Sequence, residues 1–205
     1  GTLAANTAQA LRQRGITSVT LVYDDSLFGN DRWPSGIAEL DSDHVYYAPT
    51  ASMAVDGGRN WNGANPTDPD TFSTYPVLST QPAREAALVF AQRLTERGIA
   101  VNSSVEQGAV PDGTSPIATV SSASLNEIMA FMLRHSDNSL AEEFGRLLAL
   151  HLNAGNSPAG AVQSVEQVLA QRGISTEASP WLTARDWLRI PNSPRIPCLT
   201  CSSVI

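Results

Sequence analysis

One six-residue unit occurs three times in this chain and restricts its possible folds more than any other feature. The copies are LRQRGI at Leu11–Ile16, LTERGI at Leu94–Ile99 and LAQRGI at Leu169–Ile174. In each copy an arginine suits the negative end of a helix, the glycine suits the left-handed position after it, and the isoleucine begins an extended stretch. The repeated alternation of helix and strand predicts a chain of the α/β (or α+β) class.

The other elements are predicted from hydrophobic periodicity and turn residues. Strands are expected at Thr17–Tyr23, Ile99–Val105, His44–Tyr47, Ser52–Val55 and Ile117–Val120. Helices are expected at Leu3–Arg14, Pro82–Arg97, from Ser124 onward, Ser139–Leu152 and Ala159–Arg172. The helix from Ser124 would place four apolar residues on one face: Leu125, Ile128, Met129 and Met132. The length fits one domain or two small ones, and the turn-rich stretch 108–116 makes the best boundary.

The chain contains no lysine, because all 13 of its basic residues are arginine, against 20 aspartates and glutamates. This excludes mechanisms that need a lysine within these residues, such as the P-loop, the Schiff base and serine–lysine catalysis. The net charge of −7 disfavours nucleic acid and anionic membranes as partners, since both require a basic surface. No apolar run approaches the roughly 20 residues of a transmembrane helix. Because Gly1 opens directly onto helical sequence, we expect a fragment or a processed chain.

The triplet Ser136–Asp137–Asn138 lies between two predicted helices, in FMLRHSDNSLAEEF. A structural interpretation is available, in which Ser139 and Glu142 form a capping box and the triplet is an ordinary helix start. A second triplet of the same S-x-N form, SLN at 124–126, shows that the pattern alone is weak. Only the surrounding sequence favours a functional role.

That surrounding sequence resembles a known family. SDNSLAEEFGRLLA, preceded by EIMAFMLRH, is similar to the second motif of penicillin-binding serine transferases and hydrolases. In those enzymes S-x-x-K supplies the nucleophile and its base, S-D-N lines the cleft and K-T-G closes it. Further strings follow in the family's order: LAANTAQALRQRGITSV, VYDDSLF, YYAPTASMAVDGGR, DPDTFS and LTERGIAV. From about residue 3 to about residue 174 the chain resembles the penicillin-binding D-alanyl-D-alanine carboxypeptidase/endopeptidase family, peptidase S13.

The resemblance implies a β-lactamase/transpeptidase-like fold into which accessory domains are inserted. Residues 1–112 would be the closing part of that insertion, and residues 113–205 would belong to the transpeptidase-like domain. Ser136 would relay a proton to the leaving amine, and Asn138 would hold the amide carbonyl of the substrate. Asp137 would support the other two residues without reacting.

The resemblance also implies peptidoglycan stem peptides as substrates, β-lactam antibiotics as inhibitors of the complete enzyme, no cofactor, and an extracytoplasmic location. Because there is no lysine here, the S-x-x-K motif is expected before Gly1 and the K-T-G motif after Ile205. The chain alone is therefore expected to be inactive. A rival interpretation is a non-catalytic envelope module that binds peptidoglycan or a protein partner. A β-lactamase relative is a third, disfavoured by the long segment before Ser136.

The end of the chain departs from the family pattern. The family continues after its Gly-Ile with a turn of the Asp-Gly-Ser-Gly-Leu type, whereas residues 178–205 contain no glycine. RIPCLTCSSVI still resembles the family's continuation, but ARDWLRIP does not. We hypothesise a local reading-frame error around residues 184–192, which re-sequencing of the gene would test.

Other candidate sites have simpler interpretations. Cys198 and Cys201 have the C-x-x-C spacing of metal and redox sites, but no nearby histidine or cysteine completes a zinc site, so no metal is predicted. Asp24 and Asp25 end a predicted strand and are expected to form a turn rather than an acid–base pair.

Four aromatic residues suit a sugar-stacking surface: Trp33, Tyr46, Tyr47 and Trp61. Aromatic side chains also dominate small cores, so packing of the loop-rich stretch 26–80 is the favoured explanation.

Overall fold

The computed structural model describes residues 1–34, 36–37, 41–60 and 76–175. Within these ranges the regular elements are five helices and two strands. They are α1 (Thr2–Gln13), β1 (Ser18–Tyr23), α2 (Pro82–Thr95), β2 (Ala100–Gln107), α3 (Leu125–His135), α4 (Asn138–Leu152) and α5 (Pro158–Gln171), with a short 3-10 turn at Asp56–Gly58. The mixed α/β class predicted from the sequence is confirmed.

All three repeated units end helices in the same way, as predicted. In the first, Ile16 donates its N–H to the Leu11 carbonyl at 3.0 Å and Gly15 donates to Arg12 at 2.9 Å. The other two units repeat this pair of bonds, and their glycines share the left-handed φ of 71–77°. This bond pattern is the Schellman motif, which satisfies carbonyl groups that a helix end leaves free.

The first structural layer joins α1, β1, α2 and β2. Strands β1 and β2 pair in parallel, with Ser18 opposite Ala100, and α2 packs on both strands and on α1. A register shift after Thr20 coincides with a positive φ of 72° at Ser103, so β2 carries a bulge. The buried core of this layer has five members: Ala4, Ala8, Leu11, Leu94 and Ile99.

The second layer is helical. Helix α4 packs extensively on α5, whereas α3 makes few contacts with α4. The apolar face predicted for α3 is largely uncovered, because Met132 is buried while Leu125 is 60% exposed and Met129 37% exposed. Leu133 of the same helix is 50% exposed. Periodicity therefore placed the helix correctly but overstated its burial within the described residues.

The prediction of a strand at His44–Tyr47 is wrong, because the structure has no strand there. The backbone there turns around the carboxylate of Asp41, which accepts the N–H groups of the last three residues of the stretch at 2.8–3.0 Å. Amides that would join a ladder are used by a side chain instead, which is the usual way in which aspartate competes with secondary structure.

Two other predicted strands also fail to form. Within Ser52–Val55, the Ser52 N–H binds the Asp25 carboxylate at 2.7 Å, so it is not available to a neighbouring strand. Ile117–Val120 is irregular and has no partner strand in the part of the chain that the structure describes. β-branched residues favour strands only where a partner and a surface to pack on are present.

No helix among the described residues is long and apolar enough to span a membrane.

Candidate active site

The turn between α3 and α4 carries the S-D-N triplet. Ser136 ends α3 in the left-handed conformation, with φ 51° and ψ 43°, and its side chain is exposed. The Asp137 N–H bonds back to the Met132 carbonyl at 3.0 Å, which closes the end of α3. A non-glycine residue in this region of φ/ψ space is strained by about 1–3 kcal/mol, and such positions cluster at functional sites.

Asp137 is the N-cap of α4. Its Oδ1 accepts the Leu140 N–H at 2.9 Å, and its Oδ2 pairs with Nη2 of Arg59 at 2.9 Å. One carboxylate oxygen thus fixes the start of the helix and the other binds a residue 78 positions earlier. Asp137 therefore links the two ends of this turn to Arg59, and its supporting role in catalysis stays a prediction.

Asn138 is the first residue of α4 and is 7% exposed. Together with Ser136 it lines a cavity of about 190 Å³, whose other walls include Tyr46, Arg59 and Leu78. The structure therefore brings the two predicted site residues into one concave site. The exposed Ser136 and the buried Asn138 could act together on a bound peptide.

The capping box predicted for Ser139 and Glu142 is wrong. Helix α4 begins one residue earlier than predicted, so Asp137 takes the capping position and Ser139 lies inside the helix. The Ser139 Oγ instead accepts the Ala48 N–H at 2.8 Å, across 91 residues of sequence.

The helix before it does have a capping box, at Ser124 and Glu127. The Ser124 N–H donates to the Glu127 carboxylate at 2.8 Å, and the Glu127 N–H donates back to the Ser124 Oγ at 3.4 Å. The hydrogen bonds from Ser124 lower the pKa of Glu127. The two S-x-N triplets of the chain therefore differ, since Ser124 caps a helix and Ser136 does not.

A second cavity, of about 580 Å³, lies beside the same turn and has a largely apolar lining that includes Met53, Ile128 and Phe131. Glu143 of α4 borders it, and burial raises the pKa of this carboxyl group to about 7. A hydrogen bond from the Ala51 N–H favours the charged form and lowers the pKa of Glu143, whereas the negative charges of Asp137 and Asp25 raise it further. Sequence reasoning missed Glu143, because two adjacent glutamates on an amphipathic helix are usually solvated.

Arg146 of α4 is 1% exposed and connects distant loops. Its guanidinium donates to the carbonyls of Asp31 at 2.7 Å, Phe28, and Asn156 at 3.2 Å. The Asn156 side chain in turn donates to the Leu27 carbonyl at 2.8 Å. Arg146 thus holds the loop after β1 against the turn between α4 and α5.

Asp24 and Asp25 do not form an acid–base pair. Hydrogen bonds from Ser26 and Val110 hold the pKa of Asp24 below its usual value. Asp25 pairs with Arg32 at 3.0 Å and also binds Ser52. The turn-forming role is confirmed for Asp24, whose Oδ1 accepts the Ser26 N–H at 2.9 Å, whereas Asp25 instead makes tertiary contacts with Arg32 and Ser52.

The three aromatic candidates that the structure describes do not form one shared face. Tyr47 is 5% exposed, and Trp33 packs against His44 with ring centroids 5.0 Å apart and the ring planes tilted by 41°. Tyr46, in contrast, is 56% exposed and borders the cavity at Ser136. Trp61 lies outside the described residues. Packing therefore accounts for Trp33 and Tyr47, whereas Tyr46 belongs to the candidate site.

Several sequence-based predictions fall outside the described ranges, namely those on DPDTFS, on Cys198 and Cys201, and on residues 184–192. Within the described ranges, no cluster of three or more histidine, cysteine, aspartate or glutamate side chains could hold a metal ion.

Comparison with known proteins agrees with the resemblance seen in the sequence. The model of the D-Ala-D-Ala carboxypeptidase 3 (S13) family matches residues 3–73 and 62–180. The carboxypeptidase DacB of Mycolicibacterium smegmatis is 31% identical over 198 residues, covering 97% of this chain and 40% of that protein. The carboxypeptidase Rv3627c of Mycobacterium tuberculosis is 29% identical over 168 residues, covering 82% of this chain and 34% of that protein.

The chain belongs to the D-Ala-D-Ala carboxypeptidase S13 family. It spans 40% or less of the length of these curated relatives.

Proposed function

We propose that this chain is part of a serine-type D-alanyl-D-alanine carboxypeptidase/endopeptidase that acts on peptidoglycan stem peptides through an acyl-enzyme. Family membership and the printed names of the two carboxypeptidase relatives support this proposal. The observation that carries it is the S-D-N turn, where an exposed Ser136 in a strained conformation and a buried Asn138 line the same cavity.

The proposed reaction divides the work between this chain and the rest of the enzyme. A serine of an S-x-x-K motif outside these residues attacks the carbonyl of the penultimate D-alanine, and the bond to the terminal D-alanine breaks. The lysine of that motif takes the proton of the attacking serine, and Ser136 relays this proton to the departing amine, as a general acid does. Asn138 donates its amide N–H to the carbonyl of the substrate and so orients the peptide. Water then hydrolyses the acyl-enzyme.

Further features follow from the same proposal. No cofactor takes part, β-lactams acylate the complete enzyme because they imitate the acyl-D-Ala-D-Ala terminus, and the protein works outside the cytoplasm where peptidoglycan is found. Residues 113–205 belong to the transpeptidase-like domain, and residues 1–112 close an inserted accessory domain. The 205-residue chain alone is not acylated, because none of its serines has a lysine three positions later.

The test compares the two S-x-N triplets in the longest gene product that contains this chain. We expect Ser136→Ala to lower kcat/KM for acylation by a labelled penicillin by about 10²–10⁴-fold, with the melting temperature nearly unchanged. Asn138→Ala should weaken substrate binding and positioning together.

The matched control is Ser124→Ala, which removes a capping box. This variant should lose about 0.5–2 kcal/mol of stability and keep its acylation rate. If Ser136→Ala and Asn138→Ala are acylated at the unaltered rate, the catalytic assignment is wrong. Absence of S-x-x-K from an intact gene would favour the non-catalytic envelope module.

A further inference from the structure

Arg59 is joined to the S-D-N turn by a largely buried ion pair. Its Nη2 lies 2.9 Å from Oδ2 of Asp137, and the two side chains are 19% and 9% exposed. Its Nη1 also donates to the Asp56 carbonyl at 3.1 Å, so the guanidinium is held at both of its terminal nitrogens. Charge-assisted bonds of this geometry are stronger and more directional than neutral ones.

The backbone that carries Arg59 is itself fixed. Arg59 pairs with Leu78 in an antiparallel bridge, and the Ser79 N–H donates to the Gly58 carbonyl at 2.7 Å. Gly58 has a positive φ of 78°, and a Cβ on it would lie 3.4 Å from Pro82 at the start of α2. Arg59 therefore extends from a segment that is packed against the α/β layer.

The partner of Arg59 is the residue that orients the site. Asp137 caps α4 with one oxygen, and its backbone lies between Ser136 and Asn138. With Arg59 in place, the second oxygen is also bonded, and the two contacts together restrict rotation of the carboxylate. The turn is then held from two directions, by the helix that it starts and by the α/β layer.

We propose that Arg59 is the positioning residue of the S-D-N turn, acting through Asp137 to hold Ser136 and Asn138 in their productive places. This proposal rests on the function proposed above. Displacements of about 1 Å at a reacting group can lower rates by about 100-fold, which is the scale on which a lost ion pair would be felt.

The experiment measures acylation of the longest gene product that contains this chain by a labelled penicillin. We expect Arg59→Ala to lower the acylation rate constant by about 10–100-fold with a smaller change in the initial binding constant. Arg59→Lys should recover part of the rate, because it restores one charged contact with Asp137 but not the second bond to Asp56.

Arg93→Ala is the matched control, because Arg93 pairs with Glu96 at the same 2.9 Å but with 48% and 40% of the two side chains exposed. Its acylation rate should not change. Gly57→Ala is a second variant, since a Cβ there would lie 2.6 Å from Nη1 of Arg59 and displace the guanidinium without removing its charge. It should also lower the rate.

Coupling to Asp137 separates positioning from a general structural role. Asp137→Asn should lower the rate, and the double variant with Arg59→Ala should be no slower than the slower single variant. Fully additive losses would show that Arg59 does not act through Asp137, and would overturn the proposal.

The remaining outcomes distinguish the two proposals. If Arg59→Ala is acylated at the unaltered rate while Ser136→Ala is not, the positioning role is wrong and the proposed function stands. If neither variant changes the rate, the proposed function itself fails.

Discussion

The α/β layer and the S-D-N turn are stabilised in different ways. The layer has an apolar core in which Leu94 and Ile99 are at most 1% exposed. The turn lies between α3, which makes few helix contacts, and α4, and it is held by polar bonds from earlier parts of the chain. These are the bonds of Arg59 to Asp137 and of Ala48 to Ser139.

This difference separates the source of stability from the source of site geometry. Apolar burial is strong but non-directional, so it stabilises the layer without fixing the orientation of a single side chain. Hydrogen bonds and ion pairs contribute less net stability but impose distances and angles. We therefore expect substitutions in the core of the layer to change stability without changing the site, and loss of the Ser136 hydroxyl or of the Arg59 ion pair to change the site more than the stability.

The largest effect on stability is expected from the core of the layer. Leu94→Ala removes a side chain that is 1% exposed and should lower the free energy of unfolding by about 2–5 kcal/mol. Chemical denaturation measures the loss, and acylation by the remaining folded protein should be unchanged. A loss below about 1 kcal/mol would mean that this core does not stabilise the layer as described.

A pH-dependent effect is expected from Glu143, beside the turn. Its pKa is raised from 4.5 to about 7, so the folded state binds more protons than the unfolded state in this range. The contribution of Glu143 to the free energy of unfolding should be complete below pH 4.5, be lost as the pH rises towards 7, and stay lost at higher pH. The total change should be on the order of 3 kcal/mol.

Glu143→Gln should remove this dependence in denaturation curves recorded across the pH range. Glu127→Gln is the control of opposite sign, because the pKa of Glu127 is lowered by its bonds with Ser124. The difference in unfolding free energy between the wild type and Glu143→Gln cancels the titration of the other groups. If this difference does not fall between pH 4.5 and 7, the pKa of Glu143 is not raised by burial.

A smaller effect is expected from Ser139. Ser139→Ala leaves the buried N–H of Ala48 without its acceptor, which should cost about 1–2 kcal/mol. Hydrogen exchange of the Ala48 amide should become faster in this variant and stay slow in Ser124→Ala. If the Ala48 amide stays protected, the contact between the two segments is not made by Ser139.

Local signals predicted the regular elements of the fold. The repeated Gly-Ile units fixed three helix ends to within one or two residues, because a left-handed glycine leaves few alternatives after a helix. Two of the three short strands failed because Asp41 and Asp25 bind amide groups that a ladder would need, and the third has no partner strand among the described residues. Which amides a carboxylate binds depends on the folded chain, and periodicity carries no information about it.

The site was predicted only in part for the same reason. The triplet Ser136–Asn138 was found from its motif and its neighbours, but the structure assigns the capping role to Asp137 rather than Ser139. Arg59 and Glu143 were missed, because their significance depends on contacts across 78 residues in one case and on burial in the other. A local pattern identifies the turn, and only the tertiary structure identifies what holds it.

The most direct test of a catalytic turn is the acylation rate of Ser136→Gly. Glycine tolerates the left-handed conformation that Ser136 adopts, so this variant should keep or gain stability, by up to about 1 kcal/mol, while it loses the hydroxyl. Asn153→Gly is the matched control, because Asn153 ends α4 in the same conformation, with φ 55°.

We predict that Ser136→Gly lowers penicillin acylation of the complete gene product by about 10²–10⁴-fold, whereas Asn153→Gly leaves it unchanged. Acylation of Ser136→Gly at the wild-type rate would contradict the account and reduce the S-D-N turn to a connection between two helices.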